Sequence, residues 1–125
     1  MGSWYLPDEV PKYPITVLDR SKPMAPNLLM IEFSNALLCA EKRKRINLEM
    51  ILEFITMFEK LPIAYEPLAS KGSLSRIITL SRQYKLTAYD AVYLDMAARK
   101  GLPLLTNDRA LQRAAKKCGL PIFEI

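Results

Sequence analysis

The chain has 125 residues, enough for one compact domain, and a formal net charge of +5 at pH 7. Half of the residues are hydrophobic and a quarter are charged, as in globular proteins, and no apolar run reaches the roughly 20 residues that a membrane span requires. Because the chain has no histidine, histidine-dependent catalytic triads and histidine-ligated zinc sites are excluded, which leaves carboxylates as the main chemical resource.

The first half of the chain predicts two helices. The first begins at Pro26, which suits a first helical turn, and it is apolar on nearly every side as far as residue 40, so we expect it to be largely buried. Asn47 can cap the second helix, which Pro62 ends. The second helix carries one apolar stripe, made of Leu48, Ile51, Leu52, Ile55, Phe58 and Leu61.

The second half alternates strands and helices, which predicts an α/β fold with a small parallel sheet. Only three strands are convincing, so the sheet lacks a strand that we expect upstream. The elements are a strand at 63–68, a helix behind a Ser73 cap, a helix that ends at Gly101, a strand at 103–106, a helix from Asn107 to Cys118 and a closing strand at 121–125.

The termini, cysteines and charge indicate location and partners only in outline. The N-terminal residues lack a basic leader and an apolar signal, so we expect a cytoplasmic protein with no membrane partner. Cys39 and Cys118 have no metal-ligand spacing and are interpreted as reduced thiols. The positive charge favours a polyanion such as RNA, although the basic run at 41–45 also suits the C-terminal end of a helix.

Two acids stand at predicted helix starts, and each has an ordinary structural explanation. Asp90 follows Thr87 at the spacing of a capping box. Asp108 comes directly after an apolar strand, where an acid in the first turn of a helix satisfies free N–H groups, as Thr106 or Asn107 would do as the cap. Because sites gather beyond the carboxyl ends of strands, Asp108 is also a candidate site residue.

Glu32 is harder to explain structurally, because the helix around it offers no polar face and an unpaired buried charge costs several kcal/mol, roughly. A divalent cation such as Mg²⁺ or Mn²⁺, bound by Glu32, Asp90 and Asp108, explains all three acids and is the chemistry of phosphodiester hydrolysis. Asn35 is a candidate hydrogen-bond donor beside Glu32. Asp95 lies five residues after Asp90, on another face, and is interpreted as a surface acid.

Four segments together resemble those of the PIN-domain ribonucleases, and among them the VapC-type toxins of prokaryotic toxin–antitoxin pairs. The resemblance implies a single PIN-like domain over residues 1–125 with a three-layer α/β/α architecture. It also implies a metal-dependent endoribonuclease that forms a homodimer and binds an antitoxin protein. The segments are WYLPDE at 4–9, APNLLMIEFSNALL at 25–38, LTAYDAVYLDMAARKGLPLLTNDRAL at 86–111 and GLPIFEI at 119–125.

The acidic site of that family contains four carboxylates, and by resemblance Glu32, Asp90 and Asp108 match three of them as catalytic residues and metal ligands. The first, at the end of a central first strand, has no counterpart, so we expect an N-terminally truncated domain with weaker metal binding and turnover. One alternative is that residues 15–21 (ITVLDRS) form the first strand, with Asp19 and Ser21 in the family's D-x-S order. Otherwise Asp19 is a surface acid that ends a short helix.

Three functions remain open. The first is the toxin-type, metal-dependent endoribonuclease. The second is a catalytically inactive PIN-like module that binds nucleic acid or an antitoxin, or that dimerises. The third is that the three acids are only helix caps and a tolerated charge.

Overall fold

The computed structural model describes residues 15–17, 23–67, 72–106 and 108–120. The chain divides into two compact units. The helical unit contains Leu29–Pro62, and the sheet unit contains Lys12–Leu28 and Ile63–Ile125. The described elements are β1 (Ile15–Val17), β2 (Pro23–Pro26), α1 (Leu28–Lys42), α2 (Leu48–Glu59), β3 (Ala64–Glu66), α3 (Ser73–Tyr84), α4 (Ala88–Lys100), β4 (Leu104–Leu105) and α5 (Arg109–Lys117).

The sheet has four strands in the order β3-β2-β1-β4. β2 and β3 are parallel, with Met24 opposite Ala64, and the N–H of Asn27 donates to the carbonyl of Glu66 at 2.9 Å just beyond them. β1 is antiparallel to both of its neighbours, so the sheet is mixed. The predicted α/β class with a small parallel pair is confirmed, and the antiparallel central strand is the feature that the sequence did not predict.

The predicted elements do not include β1 and β2. β1 lies within residues 15–21, the alternative first strand. β1 lies in the middle of the sheet, between β2 and β4. β2 is also flanked on both sides although it begins and ends with proline, a residue that cannot donate to a strand ladder. Asp19, Ser21 and the predicted strand at 121–125 lie outside the described residues.

In the helical unit the rings of Phe33 and Phe58 are stacked, with their centroids 4.1 Å apart. Asn47 caps α2 as predicted, since its side-chain oxygen accepts the N–H of Met50 at 2.9 Å. The predicted burial of α1 and of the α2 stripe is wrong in part. Ile51 and Phe58 are buried, whereas Leu48 is 62% and Ile31 67% exposed. The apolar faces of these helices are therefore wider than their buried faces.

α4 supplies more buried hydrophobic residues to the sheet unit than any other described element. Tyr93, Leu94 and Met96 are fully buried. Thr87 caps the start of α4, and Gly101 ends it with a positive φ of 65°. At the start of α3 the predicted Ser73 cap is wrong, because Ser73 is the first helical residue and Gly72 holds the cap position without a side-chain hydrogen bond. Within the described ranges, no helix is long and apolar enough to cross a membrane.

The interpretation of Asp95 as a surface acid is also wrong. Asp95 is buried and joins two arginines, accepting from Nε of Arg76 through Oδ1 and from Nε of Arg99 through Oδ2, each at 2.9 Å. Arg99 also donates to both oxygens of Glu66, at 2.7 and 3.3 Å, and Lys100 lies 3.3 Å from Glu66. The hydrogen bond from Arg99 is the main reason that the pKa of Glu66 lies below its usual value. This network ties α3, α4 and β3 together.

Candidate active site

Asp90 is held in the first turn of α4 by the cap of that helix. The hydroxyl of Thr87 accepts the backbone N–H of Asp90 at 3.2 Å, as the capping-box spacing predicted. The next residue, Ala91, is fully buried in the core, whereas Asp90 itself is partly exposed. The helix start is therefore anchored by packing on one side and presents its carboxyl to solvent on the other.

Asp108 is held by a dense set of hydrogen bonds between β4 and α5. Its Oδ1 accepts the N–H of Leu111 at 3.0 Å, which makes Asp108 itself the cap of α5. Its own N–H donates to the hydroxyl of Thr106 at 3.0 Å, and the side-chain amide of Gln112 donates to the carbonyl of Thr106 at 2.7 Å. The sequence pattern predicted Thr106 or Asn107 as the cap. Asn107 lies outside the described residues, and Thr106 instead supports Asp108.

Thr106 and Gln112 are supporting residues whose role was not predicted from the sequence. Thr106 is buried, and its hydroxyl bonds to the backbone two residues later. That spacing is a known local pattern for threonine before a helix and was a usable signal. The bond from Gln112 joins residues six positions apart and depends on the turn that the chain takes at Asp108, so no local pattern predicts it.

The carboxyls of Asp90 and Asp108 lie close enough to repel each other. The pKa of Asp90 is raised, first by burial and then by the negative charge of Asp108, while the hydrogen bond from Thr87 opposes the rise. Two neighbouring carboxylates, one of them partly desolvated, favour either a shared proton or a hard cation. The donor set therefore fits Mg²⁺ or Mn²⁺.

Two other predicted site residues belong to the helical unit. Glu32 lies on α1 in the helical unit, where it is partly exposed, and Asn35 is exposed on the same helix. Among the residues that the structure describes, no group of three or more acidic or cysteine side chains is assembled for one metal ion. The structure thus brings Asp90 and Asp108 together, and the convergence of Glu32 with them stays a prediction.

β1 lies beside the strand that leads to Asp108. Ile15, at the start of β1, pairs with Leu105, the last residue of β4. Since the chain continues from Leu105 to Asp108, the beginning of β1 lies at the Asp108 edge of the sheet. The end of β1 therefore lies at the opposite edge. Asp19 itself lies outside the described residues, so the alternative that it supplies a further acid stays a prediction.

The family of the chain is shown by a scan against models of known families. The model of the PIN domain matches residues 14–117. The chain belongs to the PIN domain family. Searches of curated proteins and of solved structures found no match. Two of the four segments that carry the resemblance, 25–38 and 86–111, lie within the matched range, and the segments at 4–9 and 119–125 lie outside it.

PIN domains form a nuclease superfamily whose members act on RNA and generally depend on divalent metal ions. Membership therefore supports a ribonuclease-like, hydrolytic function for this PIN domain. It leaves the choice of ion, the toxin role and the oligomeric state to direct experiment.

The raised pKa of Asp90 predicts how the stability of this PIN domain depends on pH in the absence of metal. A carboxyl whose pKa is higher in the folded state favours folding when protonated. This stabilisation is complete below the unfolded pKa of about 3.9 and is lost as the pH rises through the folded value. In EDTA, Asp90→Asn is therefore expected to have a higher Tm than the wild type at pH 7, with the gap closing near pH 4. A lower Tm for the variant at pH 7 would show that the charge of Asp90 is stabilised, not repelled.

Proposed function

We propose that this PIN domain is a metal-dependent endoribonuclease that hydrolyses RNA phosphodiester bonds at the pair formed by Asp90 and Asp108. The observation that carries the proposal is the closeness of these two carboxyls: the pKa of Asp90 is raised by burial and then by the negative charge of Asp108. Glu32 is proposed as a third ligand by resemblance. The ion is Mg²⁺ or Mn²⁺, because oxygen-only donor sets suit these hard cations.

The side chains of the pair contribute position and charge. Asp108 is fixed through Oδ1, which accepts the N–H of Leu111. Asp90 is fixed by the Thr87 cap and adds a second negative charge beside the first. A bound cation would polarise a phosphoryl oxygen and make water a better nucleophile. Because both acids lie on capped helix starts, their positions are set before an ion or a substrate binds.

The finer role is proposed from the resemblance. We propose a VapC-like toxin in the cytoplasm, with RNA as substrate, an antitoxin protein as partner and a homodimer as the assembled form. The support is the pattern E-x-x-N-A-L at 32–37 together with T-x-Y-D at 87–90 and T-x-D at 106–108, all within the range that matches the PIN domain. The expected loss of turnover from a missing first acid stays a prediction that measured rates will test.

A catalytically inactive module is the second candidate. The observation that favours it is that the described part of the chain brings two carboxylates together and assembles no group of three. A Mg²⁺ site usually contains few protein carboxylates, so the loss of any one of them weakens binding of the ion. This candidate binds RNA or a protein partner without cleaving RNA.

Incubation of the purified protein with a short single-stranded RNA separates the two candidates. Cleavage in Mn²⁺ or Mg²⁺ that stops in EDTA supports the endoribonuclease. Glu53→Gln, which removes an exposed acid from α2, serves as a matched control and should cleave like the wild type. Binding of RNA without cleavage in either metal would overturn the endoribonuclease in favour of the inactive module.

A further inference from the structure

α5 carries four cations on one face. Arg109, Arg113, Lys116 and Lys117 follow the spacing i, i+4, i+7, i+8, which places them on one side of the helix, and all four are exposed. The other side of α5 is buried through Leu111 and Ala114 in the core of the sheet unit. The helix therefore presents a continuous basic ridge, which we call the α5 face.

The α5 face makes no ion pair within the described ranges of the chain. Three other cations of the sheet unit, Arg76, Arg99 and Lys100, are paired with Asp95 or Glu66. The cations of α5 instead include two like-charge pairs at i, i+4, Arg109 with Arg113 and Arg113 with Lys117, a spacing that destabilises a helix. Only Lys116 and Lys117, at the C-terminal end, gain from the helix dipole, whereas Arg109 stands at the unfavourable N-terminal end. Helix stability does not explain this arrangement.

The α5 face begins at the candidate active site. Asp108 is the cap of α5, so Arg109 is its direct neighbour in the chain. A helix of nine residues is about 14 Å long, so all four cations lie within three turns of Asp108. The acid pair repels the phosphates of a nucleic acid, and a row of cations that leads away from it supplies the opposing attraction.

We propose that the α5 face binds the sugar–phosphate backbone of the RNA substrate and aligns it with Asp90 and Asp108. The proposal rests on the proposed function and deepens it by assigning the substrate-binding surface. Because the face offers charged lysine and arginine side chains along a single helix, it binds successive phosphates. Binding is therefore strongly salt-dependent and largely independent of base sequence. The basic run at 41–45, noted in the sequence, is not needed for this surface.

The test compares two double variants that remove the same charge. Arg113→Gln/Lys117→Gln removes half of the α5 face at positions away from Asp108, and Lys42→Gln/Lys60→Gln removes two exposed lysines from the helical unit. Glutamine keeps a helix propensity close to that of lysine and arginine. Binding of a fluorescein-labelled, single-stranded 12-nucleotide RNA is measured by fluorescence anisotropy in EDTA, where no metal-dependent cleavage occurs, at several salt concentrations.

The α5 variant is expected to bind the RNA about tenfold more weakly near 0.1 M salt. The slope of the logarithm of the binding constant against the logarithm of the salt concentration should decrease in magnitude by about 0.7 for each phosphate that the helix no longer neutralises. The control variant should stay within about twofold of the wild type. A Tm at or above that of the wild type is expected for the α5 variant, because both like-charge pairs are relieved. If the Tm falls, Arg109→Gln/Lys116→Gln removes the other half of the face and repeats the test.

Equal losses of affinity in the α5 and control variants would show that net charge alone drives binding and would overturn the proposal. Unchanged binding by the α5 variants, or no RNA binding by the wild type, would overturn it too. In the cleavage assay the α5 variant should raise KM and lower kcat/KM, whereas the control variant should change neither. If the wild type cleaves no RNA but binds it through the α5 face, the endoribonuclease fails while the binding surface stands.

Discussion

Asp90→Asn is expected to lower the rate of metal-dependent RNA cleavage by about 100-fold or more. Substitution of a residue that merely orients a metal ligand costs 10- to 100-fold in affinity or activity, roughly, so loss of a ligand should cost at least as much. Asparagine keeps the shape of the side chain but removes the charge that neighbours Asp108. The measurement is the single-turnover rate on a defined RNA in saturating Mn²⁺.

Measurements of folding and of RNA binding show whether the substitution affects catalysis alone or the whole protein. Asp90→Asn should fold and should bind RNA in EDTA as the wild type does, because the α5 face is unchanged. Glu53→Gln, prepared in the same way, should retain full activity and also controls for contaminating ribonuclease. A wild-type cleavage rate for Asp90→Asn would remove Asp90 from the catalytic site.

Asp95→Ala is expected to destabilise the protein by about 2–3 kcal/mol, the largest stability effect that the structure predicts for a single charged residue. Asp95 is 6% exposed and accepts hydrogen bonds from both Arg76 and Arg99. Its removal leaves two guanidinium groups without their shared partner. The cost falls short of that for a fully buried pair, because the arginine side chains are about two-fifths exposed. Urea denaturation at pH 7 measures the change.

The matched control for Asp95 is Glu53→Ala, which removes an exposed acid from α2 and should change the free energy of unfolding by less than about 0.5 kcal/mol. RNA cleavage by Asp95→Ala at low temperature, where the variant is folded, should remain near the wild-type rate, since its role is to join α3 to α4. Equal effects of the two substitutions on stability would show that the Asp95 network contributes nothing.

The helices and three of their caps can be predicted from the sequence, because those signals are local. Asn47, Thr87 and Gly101 occupy the predicted cap positions. The strands are harder, because β1 and β2 are three and four residues long and gain their identity from pairing with β4 and β3. The antiparallel direction of β1 is defined by its pairing with β2 and β4, and strands this short are too short to show a hydrophobic alternation in the sequence.

In the candidate site too, residues with local sequence signals can be predicted, and residues that depend on distant partners cannot. Asp90 and Asp108 can be predicted because each is an acid at a predicted helix start, and the structure brings them together. The interpretation of Asp95 as a surface acid is wrong because the position of a residue on a helix does not reveal its partners on other elements. Arg76 lies 19 residues away, on another helix, and a buried carboxylate cannot be distinguished from a surface one until that partner is placed.

Divalent-ion binding tests the central claim most directly. Isothermal titration with Mn²⁺ compares the wild type with Asp90→Asn, Asp108→Asn and the double variant, since asparagine at position 108 can still cap α5. One ion per chain is expected for the wild type, with at least about tenfold weaker binding in each single variant and little further weakening in the double variant. Wild-type affinity in either single variant would contradict a shared metal site at Asp90 and Asp108.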